Sequence, residues 1–193
     1  MKKFIKIILL MICLPFFAQG CIFVVGAAAG AAAIAVVYDH RTIANNVRDT
    51  QIANKVMDRI RMIPGLRNES HIEATVFNRV VLLTGEVPNV KWQHEAGEIA
   101  KSAPDVERVF NQITVEGPTS TLTRTSDSWI TAKIKGKMLA NDELKSGSIK
   151  VVTENGVVYL MGIVSRQQAN VAAEIARQVS GVQKVIKIFQ YKN

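Results

Sequence analysis

Two hydrophobic periods alternate along the second half of the chain. Ile130, Ile134, Met138 and Leu139 recur at helical spacing through about Asn141, and Ser126 or Asp127 offers the helix N-cap. Ser148–Thr153 then alternates apolar and polar, as a half-buried strand does. Glu154-Asn155-Gly156 is a hairpin signal, because Asn-Gly accommodates the positive φ angles of a tight turn. Val157–Met161 returns as a second strand, followed by Gly162 where a side chain would obstruct packing. Arg166–Val179 is an amphipathic, Ala-rich helix that permits close approach to a sheet, and Val182–Tyr191 is a last strand.

The first half repeats this order. Its pattern predicts a helix over 46–63, a strand over 72–77, a turn at Asn78, a strand over 80–84, a helix over 90–103 and a strand over 106–115. The correspondence reaches individual residues. Asp49-Thr-Gln-Ile-Ala-Asn-Lys-Val56 aligns with Asp127-Ser-Trp-Ile-Thr-Ala-Lys-Ile134, and Val80-Val-Leu-Leu-Thr-Gly85 with Val157-Val-Tyr-Leu-Met-Gly162. Glu98-Ile-Ala-Lys101 matches Glu174-Ile-Ala-Arg177, and Val106-Glu-Arg-Val109 matches Val182-Gln-Lys-Val185. The spacing of 76–78 residues is too long for a solenoid unit, so a small domain is duplicated. Each copy is expected to be an α+β unit, helix–strand–strand–helix–strand, with two helices packed on a three-stranded mixed sheet. Cores of this size are small, and packing between the copies would help stability. The first turn, Asn78-Arg79, lacks the favourable glycine of the second.

The N-terminus follows a different pattern. Met1-Lys2-Lys3, an apolar run from Phe4 to Phe17, and Ala18-Gln19-Gly20-Cys21 form the charged, hydrophobic and small-residue regions of a secretory signal. A cysteine at the cut makes it look like a lipoprotein signal, with Ala18 standing where Leu is usual, and Cys21 is the expected lipidation site. By resemblance to Gram-negative lipoproteins, Ile22 rather than Asp after the Cys implies delivery to the outer membrane rather than retention in the inner one. Removal of residues 1–20 takes Lys2, Lys3 and Lys6, lowering the formal charge from +8 to +5. An exported basic protein meets anionic head groups rather than genomes, so no nucleic-acid partner is expected. Cys13 leaves with the signal and Cys21 is acylated, so no thiol remains for a disulfide or metal site. The expected organisation is signal 1–20, acylated Cys and Ala/Gly-rich tether 21–45, domain 46–116, linker 117–126 and domain 127–193. The apolar stretch 22–37 keeps a transmembrane anchor open as an alternative.

The leading helix, the hairpin ending in Val157-Val-Tyr-Leu-Met-Gly162, the Ala172-Ala-Glu-Ile-Ala176 helix and Val182-Gln-Lys-Val185, with their counterparts upstream, resemble the BON domain. With the lipoprotein signal and the Ala/Gly stretch, the whole chain resembles the dual-BON outer-membrane lipoproteins of Gram-negative bacteria. Ser126-Asp-Ser-Trp-Ile-Thr-Ala-Lys133, Val152-Thr-Glu-Asn-Gly156 and Leu160-Met-Gly162 carry the strongest local likeness. The resemblance implies binding of anionic phospholipid through the leading helix of the second domain and support of outer-membrane integrity. It further implies links to division sites and to outer-membrane assembly proteins.

The second leading helix gives a separate physical reason. Trp129, Lys133 and Lys137 fall on one helical stripe, Lys135 lies to one side, and Ile130, Ile134 and Met138 should face the sheet. An indole favours the head-group level of a bilayer, and each Lys near an anionic surface contributes about 1 kcal/mol. Leu139 either inserts beside Trp129 or belongs to the core. The competing reading packs Trp129 between the domains with the lysines solvated. Gln51 stands at the corresponding place in the first domain, which makes that domain the better candidate for packing against the second or a protein partner. Trp92 starts a helix and reads as a packing residue.

Catalysis is not indicated. His40, His71 and His94 lack metal-ligand spacing, His94-Glu95 reads as a surface pair, and no nucleophile elbow or phosphate loop is present. No cofactor is expected. The rival to membrane binding is a protein-interaction adaptor for an envelope assembly or secretion machine.

Overall fold

A computed structural model describes residues 43–117 and 121–192. The expectations for Cys21 and for 22–37 lie outside the described residues.

The first domain opens with α1 (Ile43–Arg61), then a short α2 (Pro64–Glu69). The hairpin β1 (His71–Phe77) and β2 (Val80–Val87) follows, with Val76 opposite Val81. Helix α3 (Val90–Lys101) starts where the Asn89 side chain accepts the Trp92 backbone N–H. The single last strand expected over 106–115 is split into β3 (Arg108–Asn111) and β4 (Thr114–Val115), both parallel to β2. Asn111 causes the break: its amide nitrogen donates to the Gln93 carbonyl, and its oxygen accepts the Ile113 N–H. Helix α2 is a further element that the apolar pattern does not predict. It carries only one buried side chain, Leu66, and begins at Pro64, whose fixed φ suits a first helical position.

The second domain repeats the plan with α4 (Thr121–Leu139), a 3₁₀ turn at Ser146–Ser148, β5 (Ile149–Glu154), β6 (Val157–Val164), α5 (Arg166–Arg177) and β7 (Lys184–Tyr191). β5 is antiparallel to β6, and β7 is parallel to it. Ser165 and Gln168 form a capping box at the start of α5. Neither Ser126 nor Asp127 is the N-cap that the apolar pattern suggests. Helix α4 begins at Thr121, within the stretch read as linker, and Asp127 lies inside it because its carboxylate has partners in the hairpin turn rather than at a helix start.

Alternation along the strands separates two faces. In the first domain Val81, Leu83 and Val87 pack with Ile52, Val56 and Ile60 of α1 and with Ala96 and Ala100 of α3. In the second, Val158, Leu160 and Val164 meet Ile130, Ile134 and Met138 of α4 and the alanines of α5. The opposite faces meet each other: Phe77, Val80 and Leu82 form one buried cluster with Tyr159, Met161 and Ile188. Asn78 Nδ2 donates to Gln190 Oε1 at 2.7 Å, and Lys150 Nζ to the Val76 carbonyl at 3.3 Å, across the same junction. The order is therefore helices, sheet, sheet, helices. This explains why every residue of β2 is buried, which a lone two-layer domain could not produce.

Candidate membrane-docking site

Helix α4 has one buried and one bare face. Ile130, Ile134 and Met138 are sealed in the core, as their spacing predicts. Trp129 is 57% exposed and Leu139 52% exposed, so neither is a core residue and Trp129 is not packed between the domains. Lys133, Lys135 and Lys137 are exposed. At about 100° per residue, Lys133 and Lys137 lie within about 80° of Trp129 on one flank. Leu139 lies about 80° away on the other flank, with Lys135 further round. Lys133 Nζ stands 3.3 Å from the centre of the Trp129 ring, a cation–π contact that holds positive charge beside the indole. Gly136 is part of the same face, and a Cβ there would meet nothing within 4 Å. The surface thus offers an amphipathic ring, an aliphatic side chain and three cations, with low relief between them.

Asp127 fixes this helix to its sheet. The N–H of Asn155 donates to Asp127 Oδ2 at 2.7 Å and that of Gly156 to Oδ1 at 2.9 Å. Both turn residues have positive φ, 49° and 73°. The first domain repeats the device: Asp49 accepts the N–H groups of Asn78 at 2.7 Å and Arg79 at 3.0 Å. Arg79 holds a φ of 66° without being Gly, and its Nε donates to the Asp105 carbonyl at 2.8 Å. Sequence reasoning aligned the two aspartates but read the second as a cap. The available signal was their nearly equal separation from the two Asn turns, 29 and 28 residues.

The corresponding helix of the first domain differs. Gln51 occupies the Trp129 place, and Arg59 donates to the Ser102 carbonyl at 3.1 Å. Residues 48–117 carry nine Lys/Arg against ten Asp/Glu, while 126–193 carry ten against five, so the positive charge belongs to the second domain. Trp92 packs on the first core as expected, so close to Gly65 that a Cβ there would lie 2.2 Å from its ring.

The histidines do not gather. His94 is exposed, His71 lines a cavity between the domains, and His40 lies outside the described residues. Among the described residues, no group of three or more His, Cys, Asp or Glu is arranged to hold a metal ion, and no helix is long and apolar enough to cross a membrane. The cavity, about 420 Å³, lies between β1 of the first domain and β5 and α4 of the second. Glu73, Asp127 and Glu154 line it with Arg124 and Lys150. Sequence reasoning missed this group, because its members are scattered through the chain and meet only when the sheets stack.

Residues 48–117 and 126–193 each match the BON domain family. The chain is 38% identical to the outer membrane lipoprotein DolP of Haemophilus influenzae, over 91% of this chain and 90% of that protein. It is 38% identical to a 21 kDa hemolysin of Actinobacillus pleuropneumoniae, over 79% of each chain. It is 31% identical to the osmotically inducible protein Y of Escherichia coli, over 74% of this chain and 72% of that one.

Proposed function

This chain belongs to the BON domain family, which it carries twice, and from that premise we propose a lipid-anchored protein that docks on anionic phospholipid and supports outer-membrane integrity. It is an outer-membrane protein facing the periplasm, as its kinship with the outer membrane lipoprotein indicates. In the proposal Cys21 carries the lipid, residues 22–42 tether the chain ahead of α1, and the second domain makes the reversible contact through α4. The division-site placement that the resemblance implies belongs to the same reading. The role is recognition rather than catalysis.

The observation that carries the proposal is the bare face of α4, where Trp129 is 57% exposed with Lys133 over its ring. Three lysines near an anionic surface contribute about 3 kcal/mol. Inserting the exposed part of the indole adds about 2 kcal/mol. A total near 5 kcal/mol corresponds to sub-millimolar affinity, enough to hold the untethered chain on vesicles at millimolar lipid, and a lipid tether strengthens the contact by raising the effective concentration.

Flotation of the chain lacking residues 1–21 tests this. Binding to phosphatidylglycerol vesicles and not to phosphatidylcholine vesicles is expected, with loss in Trp129→Glu. Equal flotation of the two proteins would remove α4 as the site.

One observation favours a second reading, a protein adaptor for envelope assembly. The first domain leaves Met62 77% exposed and Val90 66% exposed, apolar side chains that a partner protein could cover. A first-domain variant Met62→Glu that loses a co-purifying envelope protein while keeping vesicle binding would support it.

A further inference from the structure

Glu154 ends β5 at the junction of the two sheets. From the first domain Glu86 of β2 and Glu73 of β1 face it, and from its own domain Asp127 of α4 does so. Glu86 is only 1% exposed. The Thr84 hydroxyl of the first domain is hydrogen-bonded to the Glu154 carboxyl, and Tyr159 of β6 stands beside it. The cations lining the adjoining cavity are Arg124 of α4 and Lys150 of β5, with His71 of β1 as a further titratable group. Lys150 is directed in part at the Val76 carbonyl. Carboxylates from both domains thus converge beside the cavity, with Glu86 buried, Glu154 half-buried and Glu73 exposed, and like charges there oppose the stacking of the sheets.

We propose that the junction between the two BON domains is proton-sensitive, with Glu154 holding the sheets together more firmly when neutral than when charged against Glu86 and Glu73. Burial first, and then the charges of Glu86, Glu73 and Asp127, together push the Glu154 carboxyl up from 4.5 to about 7, against a smaller lowering by the Thr84 bond. The direction of the effect follows. Between pH 4.5 and about 7 separated domains release this proton while joined ones retain it, so the junction weakens across that window and stays weak above it. Glu154 is half-buried, and screening by water limits the change to about tenfold in the opening equilibrium. This inference does not depend on membrane docking.

Carboxyl carbon NMR of the intact chain tests it, together with the side-chain amide signals of Asn78, whose bond to Gln190 spans the junction. The Glu154 signal should titrate near neutrality. The Asn78 signals should move with the same midpoint, and opening should rise about tenfold from pH 5.5 to 8.0. Glu154→Gln should stay near its acidic-side state throughout, and His71→Gln should retain the wild-type profile. Titration of Glu154 near 4.5 would overturn the proposal. So would an unchanged Asn78 profile in Glu154→Gln, or its disappearance in His71→Gln.

Discussion

Asp127, inside a helix, accepts the backbone N–H of Gly156 at the hairpin tip at 2.9 Å. The same carboxylate takes the N–H of Asn155, and Asp49 does the same for Asn78 and Arg79. Each leading helix is thereby pinned to the turn of its own sheet. Asp127→Ala would leave two turn N–H groups without an acceptor, and a cost of about 3 kcal/mol is expected. Asp127→Asn, which keeps one oxygen, should cost about half as much. Urea unfolding monitored by circular dichroism measures both, and an effect below about 0.5 kcal/mol for the alanine variant would contradict the pinning role.

The two domains should unfold together, because Leu82 and Tyr159 share one buried cluster. Leu82→Ala is expected to cost about 3 kcal/mol, and Leu82→Asp to split the single transition into two. Backbone NMR signals of each domain followed through a urea series distinguish these outcomes. Coincident transitions in Leu82→Asp would mean the junction is not what couples the domains.

Glycines at two kinds of place should respond in opposite directions. At Gly162 a Cβ would stand 2.6 Å from the Ser148 carbonyl oxygen, and at Gly85, with φ of 110°, 2.0 Å from that of His71. Alanine at either site should destabilise by more than about 2 kcal/mol. Gly136 lies in the last turn of α4 with open space around it, and Gly136→Ala should stabilise by about 0.5 kcal/mol. Thermal melting of the three variants measures the contrast.

Burial, and then the nearby Glu154, pushes the Tyr159 phenol up to about 12. Its neutral form is the one the junction holds. An unfolded chain ionises this group near 10, so the folded state loses stability as pH rises from about 10 to about 12. Phenolate absorbance at 295 nm should show a step near pH 12 that Tyr159→Phe removes.

The duplicated fold was legible because helices and strands impose different periods on the same apolar residues. The correct stripe of α4 followed from Ile130, Ile134 and Met138 alone. Val80 and Leu82 carried a weaker message: apolar on both faces, they indicate burial without saying what covers the second face. The break between β3 and β4 came from one side chain, Asn111, whose bonds to Gln93 and Ile113 have no signature in hydropathy. Asp127 was misread as a cap because Asp before an apolar run is a common helix start, and a bond to a turn some 28 residues away is invisible to local pattern. Trp129 and Lys133 were placed on one face by spacing, whereas the bareness of that face depends on how the two sheets use up the alternative surface.

In the docked state proposed above, Trp129 enters the head-group layer of an anionic membrane. The chain has two tryptophans, and Trp92→Phe leaves Trp129 as the single indole. Fluorescence quenching of that variant by phosphatidylglycerol vesicles with brominated acyl chains reads its contact with lipid directly. A blue-shifted emission is expected, with quenching strongest for bromines nearest the head groups, and neither in phosphatidylcholine vesicles. An indole that remains unquenched in the anionic vesicles would contradict this docking.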